Sequence, residues 1–287
     1  MEEFARVGDV ELCYEVLGEE RAPTVLLVMG LGLSMDWWRD DFCHALVDRG
    51  FRVVRFDNRD VGRSTHLTGR GIGPWGFLTR RADPVYTLGD MADDAAGLIA
   101  RVAPEGAHVV GASLGAMVAQ EIAIRHPART LSLTSIMGRP GDRRTGKVAW
   151  RMVPEFLRPP AADPVEGLVA SFRRIGSAGR TPEDDEDVRV TARRAFARES
   201  GDGGSRQLAA CVGERDRTAD LRALACPTLV IHGDRDRVIT PSGGRATADA
   251  VPGAELLTIP GMGHDLARWT WPVILDGIAR VASRTRA

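Results

Sequence analysis

Ser113 stands between Gly111 and Gly115 in the segment HVVGASLGAMVAQEIAIRHP, directly after a short apolar run. A serine hydroxyl becomes a nucleophile only when a base takes its proton, so it must sit at an exposed, sharply bent position that a histidine can reach. Glycines two residues to either side permit that bend, because a side chain there would collide with the neighbouring strand or helix. The spacing makes Ser113 a candidate nucleophile, with a small residue filling a tight turn as the alternative.

An acid and a base follow the serine in the order that such turns use. The segment VIHGDRDRVITP puts Asp234 and Asp236 after one apolar run, and IPGMGHDL puts His264 after the next. If both runs are strands of a parallel sheet, these side chains meet at its carboxyl edge, where α/β sheets assemble their sites. The remaining histidines fall within expected strands, helices or a glycine-rich loop and are interpreted as structural: His44, His66, His108, His126 and His232.

The elements that must position these residues alternate between strands and helices. Continuous apolar runs, typical of strands buried on both faces of a parallel sheet, occur at 24–29, 52–56, 108–110, 131–136, 228–232 and 255–259. Helical spacing of apolar residues predicts helices over 88–102, 113–125 and 272–282. The predicted fold class is therefore α/β. The helix after Ser113 would aim its first amide, that of Leu114, at negative charge developing on a substrate.

The alternation stops between residues 138 and 219, where clustered prolines and an acidic turn, TPEDDED, separate helical pieces. Large apolar side chains in this stretch, among them Trp150 and Phe156, distinguish it from a disordered linker. Its apolar content is too thin for a core of its own. We therefore expect a core of residues 1–137 and 220–287 with a helical insertion at 138–219.

Charge and composition narrow the classes of partner. The chain of 287 residues holds 38 basic and 39 acidic side chains, which removes the electrostatic reason to expect nucleic acid or an anionic membrane as a partner. The first residues are acidic and lack the apolar stretch of a secretory signal, and no run reaches transmembrane length, so we expect a soluble, cytoplasmic protein. The four cysteines are far apart and no histidine pair has metal-binding spacing, so we expect free thiols and no metal site.

Two glycine-rich segments resemble nucleotide-binding loops without meeting their requirements. In GRPGDRRTGKV the residue after Lys147 is Val148, so the hydroxyl that would hold Mg²⁺ in a P-loop is missing. In GIGPWG no strand precedes the glycines, and Pro74 and Trp75 suit neither a phosphate turn nor a helix start. We expect a loop there that contributes Trp75 and Phe77 to a pocket.

Four segments resemble the α/β-hydrolase family: LLVMGLGLS, VVRFDNRDVGRST, HVVGASLGAMVAQ, and HGDRDRVITP with IPGMGH. Within that family the MG, DNRDVGRS and IPGMGH segments are most similar to polyketide-tailoring esterases of the aclacinomycin methylesterase type. The resemblance implies a mostly parallel central sheet with helices on both faces and a helical cap formed by the insertion. It also implies Ser113 as nucleophile, His264 as base and Asp236 as the acid that holds the imidazole, while Asp234 matches a turn-forming position.

The resemblance further implies that the backbone N–H groups of Leu31 and Leu114 form an oxyanion hole. Many relatives have His-Gly where this chain has Met29-Gly30, which removes a loop-stabilising hydrogen bond and leaves the amide donor in place. In DNRDVGRS, Asp60 stands where the family has glycine, and the segment is expected to brace the edge of the sheet.

The implied activity is hydrolysis of a carboxylic ester through an acyl-enzyme intermediate, with no metal or redox cofactor. Aromatic side chains concentrate in expected loops and in the insertion, which favours an apolar, ring-containing small molecule such as a polyketide methyl ester or lactone. The candidate substrate contacts are Trp37, Trp38, Trp150, Phe156 and Trp269. Two alternatives stay open: a cofactor-free haloperoxidase or perhydrolase with the same triad, and a small-molecule-binding protein with little turnover. The sequence does not specify an oligomeric state.

Overall fold

A central sheet brings the candidate site residues to its carboxyl edge. The computed structural model describes residues 1–79, 81–152, 154, 161–198 and 203–286. Among these residues the sheet has eight strands in the order β1-β2-β4-β3-β5-β6-β7-β8. The strands are β1 Glu2–Val7, β2 Val10–Leu17, β3 Thr24–Val28, β4 Arg52–Phe56, β5 Ala107–Ala112, β6 Thr130–Ile136, β7 Thr228–Gly233 and β8 Glu255–Ile259.

Six strands of the sheet, β3 to β8, are parallel to one another. The two exceptions are at one edge, where β1 pairs antiparallel with β2 and β2 pairs antiparallel with β4. This hairpin is not among the strands predicted from the sequence. Its strands carry exposed polar residues between buried ones, as expected for an edge with one solvated face.

Helices cover both faces of the sheet, as predicted, and the α/β fold class is confirmed. Along β3, Leu26 and Val28 face one apolar core while Val25 and Leu27 face the other, because successive side chains of a strand point to opposite sides. The helices in chain order are α1 Asp40–Val47, α2 Pro74–Thr79, α3 Leu88–Val102, α4 Leu114–Arg125, α5 Pro164–Ile175, α6 Pro182–Arg198, α7 Gly203–Val212, α8 Thr218–Leu221, α9 Ser242–Ala250 and α10 Trp271–Ser283. Within the described ranges, none is both long and apolar enough to cross a membrane.

Two core helices begin for different local reasons. At α3 the Thr87 hydroxyl accepts the N–H of Asp90, and the Asp90 carboxylate accepts the N–H of Thr87, which satisfies donors that a helix start otherwise leaves unpaired. At α4 the residue before the helix is Ser113, whose side chain makes no capping hydrogen bond. The Ser113 hydroxyl is therefore left for another role.

The chain leaves the sheet between β6 and β7, and helices α5 to α8 lie in this stretch, for which the sequence predicts a cap. One of its contacts with the core is made by Arg198, at the end of α6. The Arg198 guanidinium contacts the carboxylates of Asp36 at 2.5 Å, Glu2 at 2.7 Å and Asp57 at 2.8 Å. Since Asp36 and Asp57 are buried, this ion-pair cluster replaces the water that both carboxylates would otherwise need.

The GIGPWG segment differs from its prediction, because Pro74–Thr79 form the short helix α2 instead of a loop. Proline is tolerated in a first helical turn, where its missing N–H would have no partner within the helix. Trp75 is 77% exposed. The side chain of Phe77 lies outside the described residues.

Candidate active site

Ser113 occupies the sharp turn between β5 and α4, with a φ of 57° and a ψ of −120°. This conformation is strained for a residue with a side chain, and such strain collects at functional sites. A Cβ at Gly111 would lie 2.1 Å from the carbonyl oxygen of Gly115, and one at Gly115 would lie 2.1 Å from that of Val28. Both glycines are therefore required by close backbone approach.

The three residues predicted as a triad form one hydrogen-bonded series. The Nε2 atom of His264 lies 2.9 Å from the Oγ atom of Ser113, and its Nδ1 atom lies 2.7 Å from the Oδ2 atom of Asp236. With Nδ1 protonated against the carboxylate, Nε2 presents a lone pair to the serine hydroxyl. This arrangement can remove the hydroxyl proton as the oxygen attacks a carbon centre.

The Asp236 carboxylate is held on both oxygens. Its Oδ1 atom accepts the backbone N–H groups of Val238 and Ile239, each at 2.9 Å. Burial opposes ionisation, but His264 and His232 more than offset this effect and hold the pKa of Asp236 well below its ordinary value. The carboxylate is thus ionised throughout the neutral range and can stabilise a protonated imidazole.

His232 is a neighbour of this carboxylate that the sequence analysis interpreted only as structural. Its Nε2 atom lies 2.8 Å from the carbonyl oxygen of Ile239 and 3.4 Å from the Oδ2 atom of Asp236. The spacing of four residues between His232 and Asp236 is the feature of the sequence that could have indicated this contact.

Asp234 has a different environment from Asp236. It lies at the surface, and its Oδ1 atom accepts the N–H of Gly261 at 2.7 Å, which joins the turn after β7 to the turn after β8. This contact stabilises the loop that leads to His264.

The loop after β3 lies directly against Ser113. A Cβ at Gly30 would be 3.3 Å from both the Ala112 carbonyl oxygen and the Ser113 Cβ atom, so the backbone of the loop reaches the serine closely. Among the described residues, no hydrogen-bond acceptor engages the N–H of Leu31 or of Leu114. Both predicted oxyanion donors therefore remain available to a ligand.

A cavity of about 370 Å³ opens above Ser113 and His264. Most of its lining is apolar, and α5 and α6 contribute both apolar residues and the charged side chains of Arg174, Asp184 and Asp187. Trp37 and Phe172 both line it and stack on each other, with ring centroids 5.0 Å apart and planes 12° from parallel. The apolar lining residues include Met29, Leu33, Met137, Met152 and Val188.

The aromatic residues predicted to contact substrate take different positions. Trp37 lines the cavity, whereas its neighbour Trp38 is completely buried and packs against Phe42, because adjacent side chains leave the backbone in different directions. Trp150 and Trp269 are 76% and 45% exposed and, within the described part of the chain, do not line the cavity. Phe156 lies outside the described residues. The aromatic partner that the sequence analysis missed is Phe172, whose helical spacing in α5 resembles that of any core residue.

The DNRDVGRS segment braces the sheet edge through buried polar contacts. Asp57 accepts the N–H of Met35 at 2.7 Å, and the Ser64 hydroxyl donates to the Asp57 carbonyl at 2.6 Å. Arg59 binds both oxygens of Asp94 at 2.6 and 2.7 Å. Burial raises the pKa of Asp57 above its ordinary value, against the opposing effect of its hydrogen bonds and of Arg198. None of these contacts faces the cavity.

Comparison with known proteins places the chain among enzymes of one fold. A sequence profile of the alpha/beta hydrolase fold matches residues 23–267. The chain is 29% identical over 282 residues to rhodomycin D methylesterase of Streptomyces sp. strain C5, with 90% of each chain covered. It is 30% identical over 247 residues to a protein named as a non-heme bromoperoxidase of Mycobacterium tuberculosis, covering 84% of this chain and 86% of that one. The enol-lactonase of Burkholderia xenovorans, at 22% identity, shares the fold with a TM-score of 0.75 over 98% of this chain and 100% of its own.

Proposed function

The chain belongs to the α/β-hydrolase family and is an ester hydrolase, and on that premise we propose that Ser113, His264 and Asp236 cleave a carboxylic ester through an acyl-enzyme. The observation that carries this proposal is the unbroken hydrogen-bonded series from the Asp236 carboxylate through the His264 imidazole to the Ser113 hydroxyl. We propose a methyl ester or lactone of an apolar, ring-containing metabolite, such as a polyketide, as the substrate.

The proposed reaction has two halves. In the first, the Nε2 atom of His264 takes the hydroxyl proton as the Ser113 oxygen adds to the ester carbonyl carbon, and the N–H groups of Leu31 and Leu114 bind the resulting oxyanion. His264 then gives the proton to the departing alcohol, leaving an acyl group on Ser113. In the second half, His264 takes a proton from a water molecule as the water oxygen adds to the acyl carbonyl carbon. His264 then returns the proton to the Ser113 oxygen as the acid is released. Throughout, the ionised Asp236 stabilises the imidazolium.

The lining of the cavity supports an apolar substrate with a flat ring. Stacked aromatic rings such as those of Trp37 and Phe172 provide a flat apolar surface, and the thioethers of Met29 and Met152 adapt to irregular apolar shapes. The methylesterase relative, by its name, acts on rhodomycin D. We extend this substrate class to the present chain as part of the proposal.

The relative named as a bromoperoxidase supports one alternative function. In a perhydrolase the same serine would be acylated by a carboxylic acid, and hydrogen peroxide would take the place of water as the acceptor. A direct comparison separates the two functions: purified protein is assayed for acid release from esters, for peracid formation in acetate with peroxide, and for halogenation when bromide is added to that mixture. We expect ester hydrolysis to dominate, and a peracid rate above the hydrolytic rate would favour the alternative.

Covalent labelling tests the proposed nucleophile, and assays of ester hydrolysis test the alternative of a small-molecule-binding protein with little turnover. A serine-directed phosphonate should form one adduct per chain on the peptide that contains Ser113, and labelling should abolish hydrolysis of p-nitrophenyl esters. An aromatic polyketide methyl ester should be hydrolysed with release of methanol. An adduct on another residue, or no turnover of any ester, would contradict the proposal.

Removing one ring of the stacked pair should change substrate preference. We expect Phe172→Ala to lower kcat/KM for a ring-containing ester roughly tenfold, because the ring of the substrate loses an aromatic side chain to pack against. The rate with p-nitrophenyl acetate should change less than about threefold. Phe196→Ala is the matched control, since Phe196 is partly exposed on α6 and does not line the cavity. Equal losses for both esters in Phe172→Ala would show that this residue does not determine selectivity.

The pH dependence follows from the ionised state of Asp236. Asp236 should add no ionisation step to the kcat/KM profile above about pH 4, because its pKa lies below its ordinary value near 4. The lowered pKa also means that this carboxylate stabilises the folded protein above about pH 4, and that the contribution is lost as the pH falls through the folded-state value. A kcat/KM profile from pH 4.5 to 9 with two acid-side ionisations would contradict this prediction.

A further inference from the structure

The loop that carries the proposed oxyanion donor Leu31 is a reverse turn. The turn is closed by one hydrogen bond, in which the N–H of Leu33 donates to the Gly30 carbonyl at 3.3 Å. Gly32, at the third position, has a φ of 64°, which favours glycine. Such turns exist in two forms that differ by a flip of the central peptide, here the one between Leu31 and Gly32. That peptide carries the Gly32 N–H and the Leu31 carbonyl, and it adjoins the Gly30–Leu31 peptide, whose N–H is the proposed donor.

The turn is held from two sides. From the core, the Asn58 side chain donates to the Met29 carbonyl at 3.1 Å. From α7, the Oε1 atom of Gln207 accepts the N–H of Gly32 at 2.8 Å, and its Nε2 atom donates to the Arg59 carbonyl at 2.8 Å. The donor peptide of Leu31 lies between these two anchors. The Met29 side chain is a thioether and has no donor to offer the loop.

The position of Gln207 is fixed by the packing of α7. A Cβ at Gly203 would lie 1.7 Å from the Asp60 carbonyl oxygen, so the first turn of the helix touches the backbone after β4. Arg206 contacts both carboxylate oxygens of Asp60 at 2.9 Å. Gln207 itself is completely buried, and both ends of its amide are paired. A side chain held in this way has little freedom to follow a different loop shape.

We propose that Gln207 is a positioning residue for the oxyanion hole. By accepting the N–H of Gly32 it holds the central peptide of the turn in one orientation, which fixes one end of the adjoining Gly30–Leu31 peptide and so positions the Leu31 N–H to bind the developing negative charge. This inference rests on the proposed function. It gives the stretch predicted as a cap a role in the chemical step, beyond contact with the substrate.

The test compares variants that keep or remove the acceptor. Gln207→Met keeps the volume and removes both hydrogen bonds, whereas Gln207→Glu keeps an acceptor for the Gly32 N–H. Ala210→Gly is the control, because it weakens the same helix without contact to the loop. For each variant, folded at the assay temperature by circular dichroism, we measure kcat and KM with a p-nitrophenyl ester. We also measure the inhibition constant of a trifluoromethyl ketone, whose serine adduct carries an oxyanion.

We expect Gln207→Met to lower kcat by about ten- to a hundredfold, less than the roughly hundred- to thousandfold loss on removing an oxyanion donor outright, with KM changed less than threefold. Ketone affinity should fall in parallel with kcat/KM, Gln207→Glu should lose less than Gln207→Met, and Ala210→Gly should keep kcat within twofold. Unchanged kcat and ketone affinity in Gln207→Met, or an equal loss in Ala210→Gly, would overturn the inference. Failure of the proposed function would look different, since Ser113→Ala would then retain turnover.

Discussion

Replacing Ser113 with alanine should lower ester hydrolysis by on the order of a thousandfold or more while leaving the protein folded. The hydroxyl contacts only His264 among the described residues, so its removal costs the fold one partly exposed hydrogen bond. Alanine keeps the Cβ atom, so the backbone strain at the turn is unchanged. The measurement is kcat/KM with a p-nitrophenyl ester together with the melting temperature.

Ser135→Ala is the matched control for this experiment. Ser135 is a buried serine on the neighbouring strand β6, where it accepts a hydrogen bond from the Gln120 amide at 3.1 Å. Its loss should reduce stability modestly and leave turnover within a few-fold. If Ser113→Ala retained most of the wild-type rate, serine catalysis by this triad would be excluded.

The second large effect is expected at Asp236. In Asp236→Asn the side-chain amide can turn its NH₂ group towards His264, which stabilises the wrong imidazole tautomer and removes the charge that balances the imidazolium. We expect turnover to fall on the order of a thousandfold. The rate is to be measured with a small activated ester, so that substrate contacts contribute little.

Asp234→Asn is the contrasting variant, because it changes a carboxylate two residues away that lies outside the hydrogen-bonded series. It weakens the contact to the Gly261 N–H, so we expect a lower melting temperature and a rate within a few-fold of wild type. The reverse ranking of the two variants would assign the orienting role to Asp234.

The parts of the fold that could be predicted from the sequence are those in which the local pattern of residue types matches the burial of the side chains. The central parallel strands β3, β5 and β7 are mostly apolar because they are buried on both faces, and that composition is visible without a structure. The β1 to β2 hairpin escaped prediction because its strands contain charged residues and mix buried with exposed positions, so that neither forms a continuous apolar run. Pro74 was taken to exclude a helix start, although a first helical turn accepts proline.

The site residues likewise divide into those that could be predicted from the sequence and those that could not. Ser113, His264 and the pair Asp234 and Asp236 follow strands in a fixed order, so their meeting could be predicted from the strand ends, whereas the choice of Asp236 over Asp234 depended on the family resemblance. Trp37 and Trp38 are identical in type and adjacent, and only the path of the backbone decides that one lines the cavity and the other is buried. Gln207 contacts a residue 175 positions earlier in the chain, and no local pattern reports such a contact.

The ion-pair cluster at Arg198 has a consequence for the order of folding. It joins α6 to Glu2 in the first strand, 196 positions earlier in the chain, and to two buried carboxylates. Until α6 docks, the carboxylates of Asp36 and Asp57 have no cation to pair with. Docking of α6 in turn requires that the sheet edge has already formed. Contacts between such distant parts of a chain form slowly, because loop closure must come first. We therefore expect α6 to dock late, after the amino-terminal hairpin has paired, and the cavity above Ser113 to be completed only in that last step.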